Sequence, residues 1–99
     1  SSNALRVYNT WTSSTNFERL NVDWKTTANV CRVMTEKGSG GGTARELHLG
    51  TDALASIKLD TSGGIDLARL STTTETITPD KTITLKIGGV AYKFACVAA

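Results

Sequence analysis

One histidine, two cysteines and nine carboxylates set the limits of what this 99-residue chain can do by metal-ligand, thiol or acid–base chemistry. His48 stands between Leu47 and Leu49. On a strand its ring points away from the face those leucines bury, so it is read as solvent-exposed or packed at a subunit seam. Three copies meeting near an axis could hold an ion, but no carboxylate or thiol stands out beside it to complete a ligand set. Cys31 and Cys96 are sixty-five residues apart, with no CxxC spacing around either, and are expected to be free, buried thiols acting as small apolar residues, with a disulfide as the alternative. A thiol–imidazole pair would need one of them beside His48, and nothing in the spacing provides it.

The carboxylates fare no better as a glycosidase-like pair. Glu18 and Asp23 share an expected strand at an odd separation and so face opposite ways. Asp60 and Asp66 lie in or beside turns, where Asp serves backbone hydrogen bonds. The glycine run at 38–42 lacks the Lys-Ser/Thr ending of a phosphate loop and precedes no helix, so it reads as a flexible turn. These residues point to a non-enzymatic protein with no cofactor, metal or catalytic residue. Among the aromatics, Trp24 closes an alternating run with Leu20 and Val22 and reads as core. Trp11 sits among Thr and Ser in an expected turn, where an exposed indole can stack on a sugar ring, or else anchor the turn or the subunit interface.

The net charge of +2 is too small to argue for nucleic acid or an anionic membrane surface. No apolar run approaches the roughly 18 residues of a membrane-spanning helix, so membrane insertion is not expected. Sixteen Thr, eight Ser and nine Gly against only 22 Leu, Ile, Val and Phe make a β-prone, turn-rich chain that is poor in core-forming side chains. Small chains offset the entropy of ordering only narrowly, and oligomerisation is the expected rescue.

The elements that must position these residues are short strands, expected at 5–9, 18–24, 29–36, 45–49, 56–60, 65–70, 82–87 and 90–97. The last two form the clearest signal. A Gly88-Gly89 pair between alternating runs specifies a two-residue hairpin turn. In that register Ile83 faces Phe94, Leu85 faces Tyr92, Ile87 faces Val90 and Lys81 faces Cys96. Ile83, Leu85, Tyr92 and Phe94 then share one face, expected to be sealed against the rest of the protein or partner chains. In the middle of the chain a small unit recurs: Leu47-His48-Leu49, Ile57-Lys58-Leu59 and Ile65-Asp66-Leu67 each set two aliphatics around a polar residue. A strand offering two aliphatics builds no core alone, so the pairs Leu47/Leu49 and Ile57/Leu59 are expected to face neighbouring chains. Arg6, Arg19, Arg32, Arg45 and Lys58 are spaced thirteen apart, a second candidate repeat that ends at Ser71. Near-regular short strands suit a coiled β architecture. Residues 1–78 read as a fibre-like module of short strands, and 79–99 as a terminal hairpin of the same domain.

Three stretches carry a family resemblance. Leu5-Arg6-Val7-Tyr8-Asn9-Thr10-Trp11 leads through small polar residues to Asn16-Phe17-Glu18-Arg19 and an alternating strand ending in Trp24. Thr35-Glu36 leads through the glycines to Thr43-Ala44-Arg45-Glu46-Leu47-His48-Leu49, and Pro79-Asp80 opens the closing hairpin. Together they resemble a module that recurs in bacteriophage tail fibres and related virion appendages. The run Cys31-Arg32-Val33-Met34 departs from the plainer aliphatic strand expected there. The resemblance implies an all-β fold: an intertwined homotrimeric β-prism or triple β-helix-like fibre domain with a C-terminal β-hairpin. It implies a structural role in virion attachment, as shaft or receptor-binding tip, with a host cell-surface glycan as an external partner. Alternatives are a head-fibre or decoration component, or a trimerisation module of a larger polysaccharide-degrading tailspike. It also implies a location in the virion after assembly in the host cytoplasm, where Cys31 and Cys96 would stay reduced.

Overall fold

The computed structural model describes residues 4–99, so the first three residues of the 1–78 unit lie outside it. The described chain is all-β, with eight strands in three small antiparallel sheets: β1 (Ala4–Ser13), β2 (Asn16–Asp23), β3 (Arg32–Lys37), β4 (Leu47–Thr51), β5 (Leu54–Leu59), β6 (Ile65–Asp66), β7 (Lys81–Ile87) and β8 (Val90–Cys96). β1-β2-β3 and β4-β5-β6 are meanders and β7-β8 is a lone hairpin.

The terminal hairpin has the register read from its sequence. Ile83 pairs with Phe94, Leu85 with Tyr92, Ile87 with Val90 and Lys81 with Cys96. Gly88 and Gly89 both take positive φ, +61° and +82°, as the turn requires. A second two-residue turn, Asp52-Ala53, joins β4 to β5 with φ of +50° and +60°, although neither residue is glycine. The three recurring units become neighbours in one sheet: Leu47 pairs with Leu59, Leu59 with Ile65, and Leu49 with Ile57. They are strands of a meander here, not stacked coils. β6 is only two residues long, because the chain leaves the sheet at Leu67. The thirteen-residue spacing of basic residues is not a repeated unit either. Arg6, Arg19 and Arg32 fall on one face of the first sheet, while Arg45 lies in a connection and Lys58 in β5.

The chain is extended, 57 × 30 × 24 Å, with a radius of gyration of 18.5 Å, against about 13 Å for a compact domain of this length. Its surface is 8003 Å², where a compact monomer of this mass would expose roughly 5,400 Å². The few buried side chains are mostly polar, and many large apolar side chains are exposed. Phe17 is the one buried hydrophobic side chain among the described residues, whereas Glu18, Asn21 and Asp23 are all buried. The terminal hairpin is not sealed against its own chain: Ile83, Leu85, Tyr92 and Phe94 are each about half exposed, and its two strands pack chiefly on each other.

Several expectations change at single residues. Trp24 is not core within one chain but 57% exposed, because β2 ends at Asp23 and the indole lies past its last rung. Cys31 is exposed, outside the end of β3, and Cys96 is only half-buried at the end of β8, so neither is a core thiol; both are free. Trp11 sits in a strand, not a turn, since β1 runs on to Ser13.

Candidate functional site

The first sheet concentrates the chain's buried polar groups, and strand alternation divides them between two faces. Phe17, Arg19, Asn21 and Asp23 of β2 share one face with Arg6 and Tyr8 of β1 and Met34 and Glu36 of β3. A bulge at Asn9 adds Trp11 to that face: Tyr8 pairs with Arg19 and Thr10 with Glu18, so Trp11 arrives opposite Phe17. Without the bulge, Tyr8 and Trp11 would point to opposite sides.

The side chains on this face form a connected network. Arg19 Nε donates to Glu36 Oε1 at 2.8 Å and its Nη1 to the Tyr8 hydroxyl at 3.0 Å. The Arg19 guanidinium lies 4.2 Å from the Phe17 ring centroid, and the Tyr8 and Phe17 rings meet edge to face at 5.9 Å. Asn21 joins the rows, accepting from Arg6 Nε at 3.4 Å and donating to Glu36 Oε2 and to Asp23 Oδ2. Burial works against the Arg19 charge, but the bonds to Glu36 and Tyr8 outweigh it and raise its pKa. Asp23 caps the bend after β2, accepting the Thr26 and Lys25 amides at 3.0 and 3.2 Å and the Thr26 hydroxyl at 2.9 Å. The Thr26 amide leads in holding its carboxyl below the usual range, against the opposing effect of burial. Trp11 stands at the rim of this face, 62% exposed.

The opposite face carries Leu5 and Val7, Leu20 and Val22, and Val33 and Thr35. Glu18 shares it, and its carboxylate is saturated with donors. Asn9 Nδ2 donates to Oε1 at 2.8 Å, the Thr43 amide to Oε2 at 2.8 Å, and Arg45 to both oxygens at 3.1 and 3.2 Å. Arg45 leads, followed by the Thr43 amide and Asn9, in lowering the Glu18 pKa to about 2. A carboxylate so held is no proton donor at neutral pH. A cleft of about 490 Å³ lies alongside, lined by both networks, including Tyr8, Glu18, Arg19, Glu36 and Arg45.

The glycine run is not the flexible turn its composition suggests. The Gly38 amide donates to the Phe17 carbonyl at 2.9 Å and the Gly40 amide to the Thr15 carbonyl at 2.6 Å, while Gly41 bridges to Asn16. A Cβ at Gly38 or Gly42 would overlap the main-chain oxygen of Thr15 or Phe17. The glycines are there so that the strap can lie against β2.

Elsewhere the sequence-derived residues stay apart. His48 does have a carboxylate beside it after all, Glu46 Oε1 at 2.8 Å from Nε2. The two residues are exposed, and no group of three metal-ligating side chains forms among the described residues. Asp60 serves its turn as expected, accepting the Ser62 and Gly64 amides. Leu47, Leu49, Ile57 and Leu59 gather in the second sheet, and Ile83, Leu85, Tyr92 and Phe94 in the hairpin. Sequence reasoning missed the joining of Glu18 to Arg45. The available signal was that Glu18 and Arg45 each lie in one of the three stretches that carry the family resemblance. Comparison with protein-family models, curated proteins and solved structures finds no match for this chain.

Proposed function

We propose that this chain is a non-enzymatic, homotrimeric structural domain of a bacteriophage tail fibre or spike, acting in attachment of the virion to its host. The observation that carries the oligomeric part is the inverted distribution of polarity. All three sheets leave large aliphatic or aromatic residues open to solvent, while the buried positions of the first sheet hold Glu18, Asn21 and Asp23 beside a single hydrophobic side chain, Phe17. The surface in excess of a compact monomer, about 2,600 Å² by the mass scaling, is of the order that an obligate interface covers. Intertwined copies, as in a β-prism or triple β-helix-like fibre, bring the apolar sides of Leu47/Leu49, Ile57/Leu59 and the terminal hairpin against one another. The appendage role rests on the sequence resemblance.

Trp11 is the proposed contact to a host glycan. It is exposed at the rim of a face that also presents Tyr8, Arg6 and Glu36, an aromatic surface with polar groups beside it. Sedimentation equilibrium on the purified chain at micromolar concentration tests the assembly, with a trimer expected and a folded monomer contradicting it. Binding to host-surface polysaccharide tests the contact. Trp11→Ala is expected to lose binding while keeping the trimer, and unchanged binding would remove Trp11 from the proposal.

A further inference from the structure

Nine residues, 38–46, connect β3 to β4, and four of them are glycine. A free linker of that composition would leave the second sheet unoriented. Instead the first half lies along β2 through the Gly38 and Gly40 amides, and the second half is held by side chains. Thr35 Oγ1 donates to the Arg45 carbonyl at 2.7 Å, and Glu18 takes the Thr43 amide and both Arg45 bonds. Immediately beyond, Val33 and Thr35 of the first sheet line a cleft of about 210 Å³ with Leu47 and Leu59 of the second.

We infer that Glu18 is the latch of this strap, and that closing the latch aligns the apolar sides of the first two sheets into one surface for association. The alignment half rests on the self-association proposed above. The geometry favours a latch over an incidental surface pair. The Glu18 side chain is 6% exposed although Arg45 is 56% exposed, so the buried acceptor is fixed by β2 and the strap comes to it. Its other neighbours are committed elsewhere. Lys37, its cross-strand partner on β3, directs Nζ to the Gly38 carbonyl. Glu46 pairs with His48, and Glu36 pairs with Arg19 on the opposite face. Arg45 is therefore the one cation bonded to Glu18 among the described residues. With both oxygens occupied, protonating Glu18 or replacing it by Gln removes the charge and leaves one full acceptor oxygen where the Thr43 amide, Asn9 and Arg45 use two. One substitution thus loosens the second half of the strap, leaving the Gly38 and Gly40 bonds and the Thr35 bond to the Arg45 carbonyl in place.

The test is hydrogen exchange across residues 39–47, with sedimentation, on the full chain carrying Glu18→Gln at neutral pH. The latch predicts exchange at least about tenfold faster in the strap and loss of the assembled species. Glu36→Gln, which breaks the network on the other face, should leave strap exchange within about twofold. Strap exchange unchanged in Glu18→Gln overturns the latch, and a loosened strap in a chain that still assembles overturns the alignment role. If the unaltered chain itself sediments as a monomer, the self-association reading fails, while strap exchange still decides the latch. Should Glu18→Gln not fold, the Thr43 amide shift of the unaltered chain decides it. A midpoint near 2 supports the latch, and one at the ordinary 4.5 overturns it.

Discussion

The first sheet and the terminal hairpin use strand alternation in opposite ways. In β7–β8 every large aliphatic or aromatic side chain lies on one side, and among the described residues each of them stays about half exposed. In β1–β3 the buried positions are Phe17 and three polar side chains, the Glu18 carboxylate, the Asn21 amide and the Asp23 cap, all three hydrogen-bonded; no buried side-chain polar atom among the described residues lacks a partner. One region is specified by directional bonds within a single copy. The other has its antiparallel ladder and an apolar side whose burial, a non-directional driving force, would require the partner surface proposed above. The contrast indicates that the order of the first sheet and the stability of the hairpin have different sources, and that they can be perturbed separately.

The largest expected effect is on the hairpin. Phe94→Ala or Tyr92→Ala should lower the stability of the assembled protein by about 3–5 kcal/mol per copy if the ring is fully covered in the assembly. Lys93→Ala, on the other side, should change it by less than about 0.5 kcal/mol. Thermal melts separate these outcomes, and a loss in Lys93→Ala equal to that in Phe94→Ala would mean that the covered side is the wrong one.

The first sheet should break through its strap instead. Gly42 combines a φ of +98° with close approach to the Phe17 carbonyl, so Gly42→Ala is expected to cost on the order of 1–3 kcal/mol, measured by chemical denaturation. Its acid response follows from Glu18. Because folding lowers that pKa from 4.5 to about 2, the folded chain binds fewer protons than the unfolded one between those values. The stabilisation is complete above about pH 4.5 and is lost as the pH falls through about 2. An acid titration of unfolding should therefore lose this dependence in Glu18→Gln.

Smaller effects sharpen the comparison at the turns. Ala53 at φ +60° occupies a position that Gly89 fills in the terminal hairpin. Ala53→Gly should stabilise by about 1 kcal/mol by relieving left-handed strain, and a drop in melting temperature would contradict the turn geometry. Cys31 is exposed and unpaired. Cys31→Ser should shift stability by less than about 0.5 kcal/mol, with the unfolding midpoint the same in the presence and absence of reductant.

The two regions also differ in how far the sequence discloses them. The hairpin is legible residue by residue, because alternation and a Gly-Gly turn are local and leave one register that sorts the side chains. The first sheet is legible only as strands. The Thr-Trp-Thr-Ser run looks like a turn, yet pairing with β2 carries β1 through it to Ser13. The Asn9 bulge then changes the parity that puts Trp11 beside Tyr8. Nor does composition distinguish glycines that flex from glycines that allow contact, so the strap reads as a loose turn. Trp24 and the two cysteines look like core because they are apolar in type, an inference that presumes a core. Among the described residues Phe17 alone is a buried hydrophobic side chain.

The central claim, that copies of this chain supply the hydrophobic cover its three sheets lack, is tested most directly by thermal unfolding across a hundredfold range of protein concentration, with sedimentation equilibrium at each end. Coupled folding and association predicts a trimer and a melting temperature that rises with concentration. A folded monomer whose melting temperature is independent of concentration would contradict it.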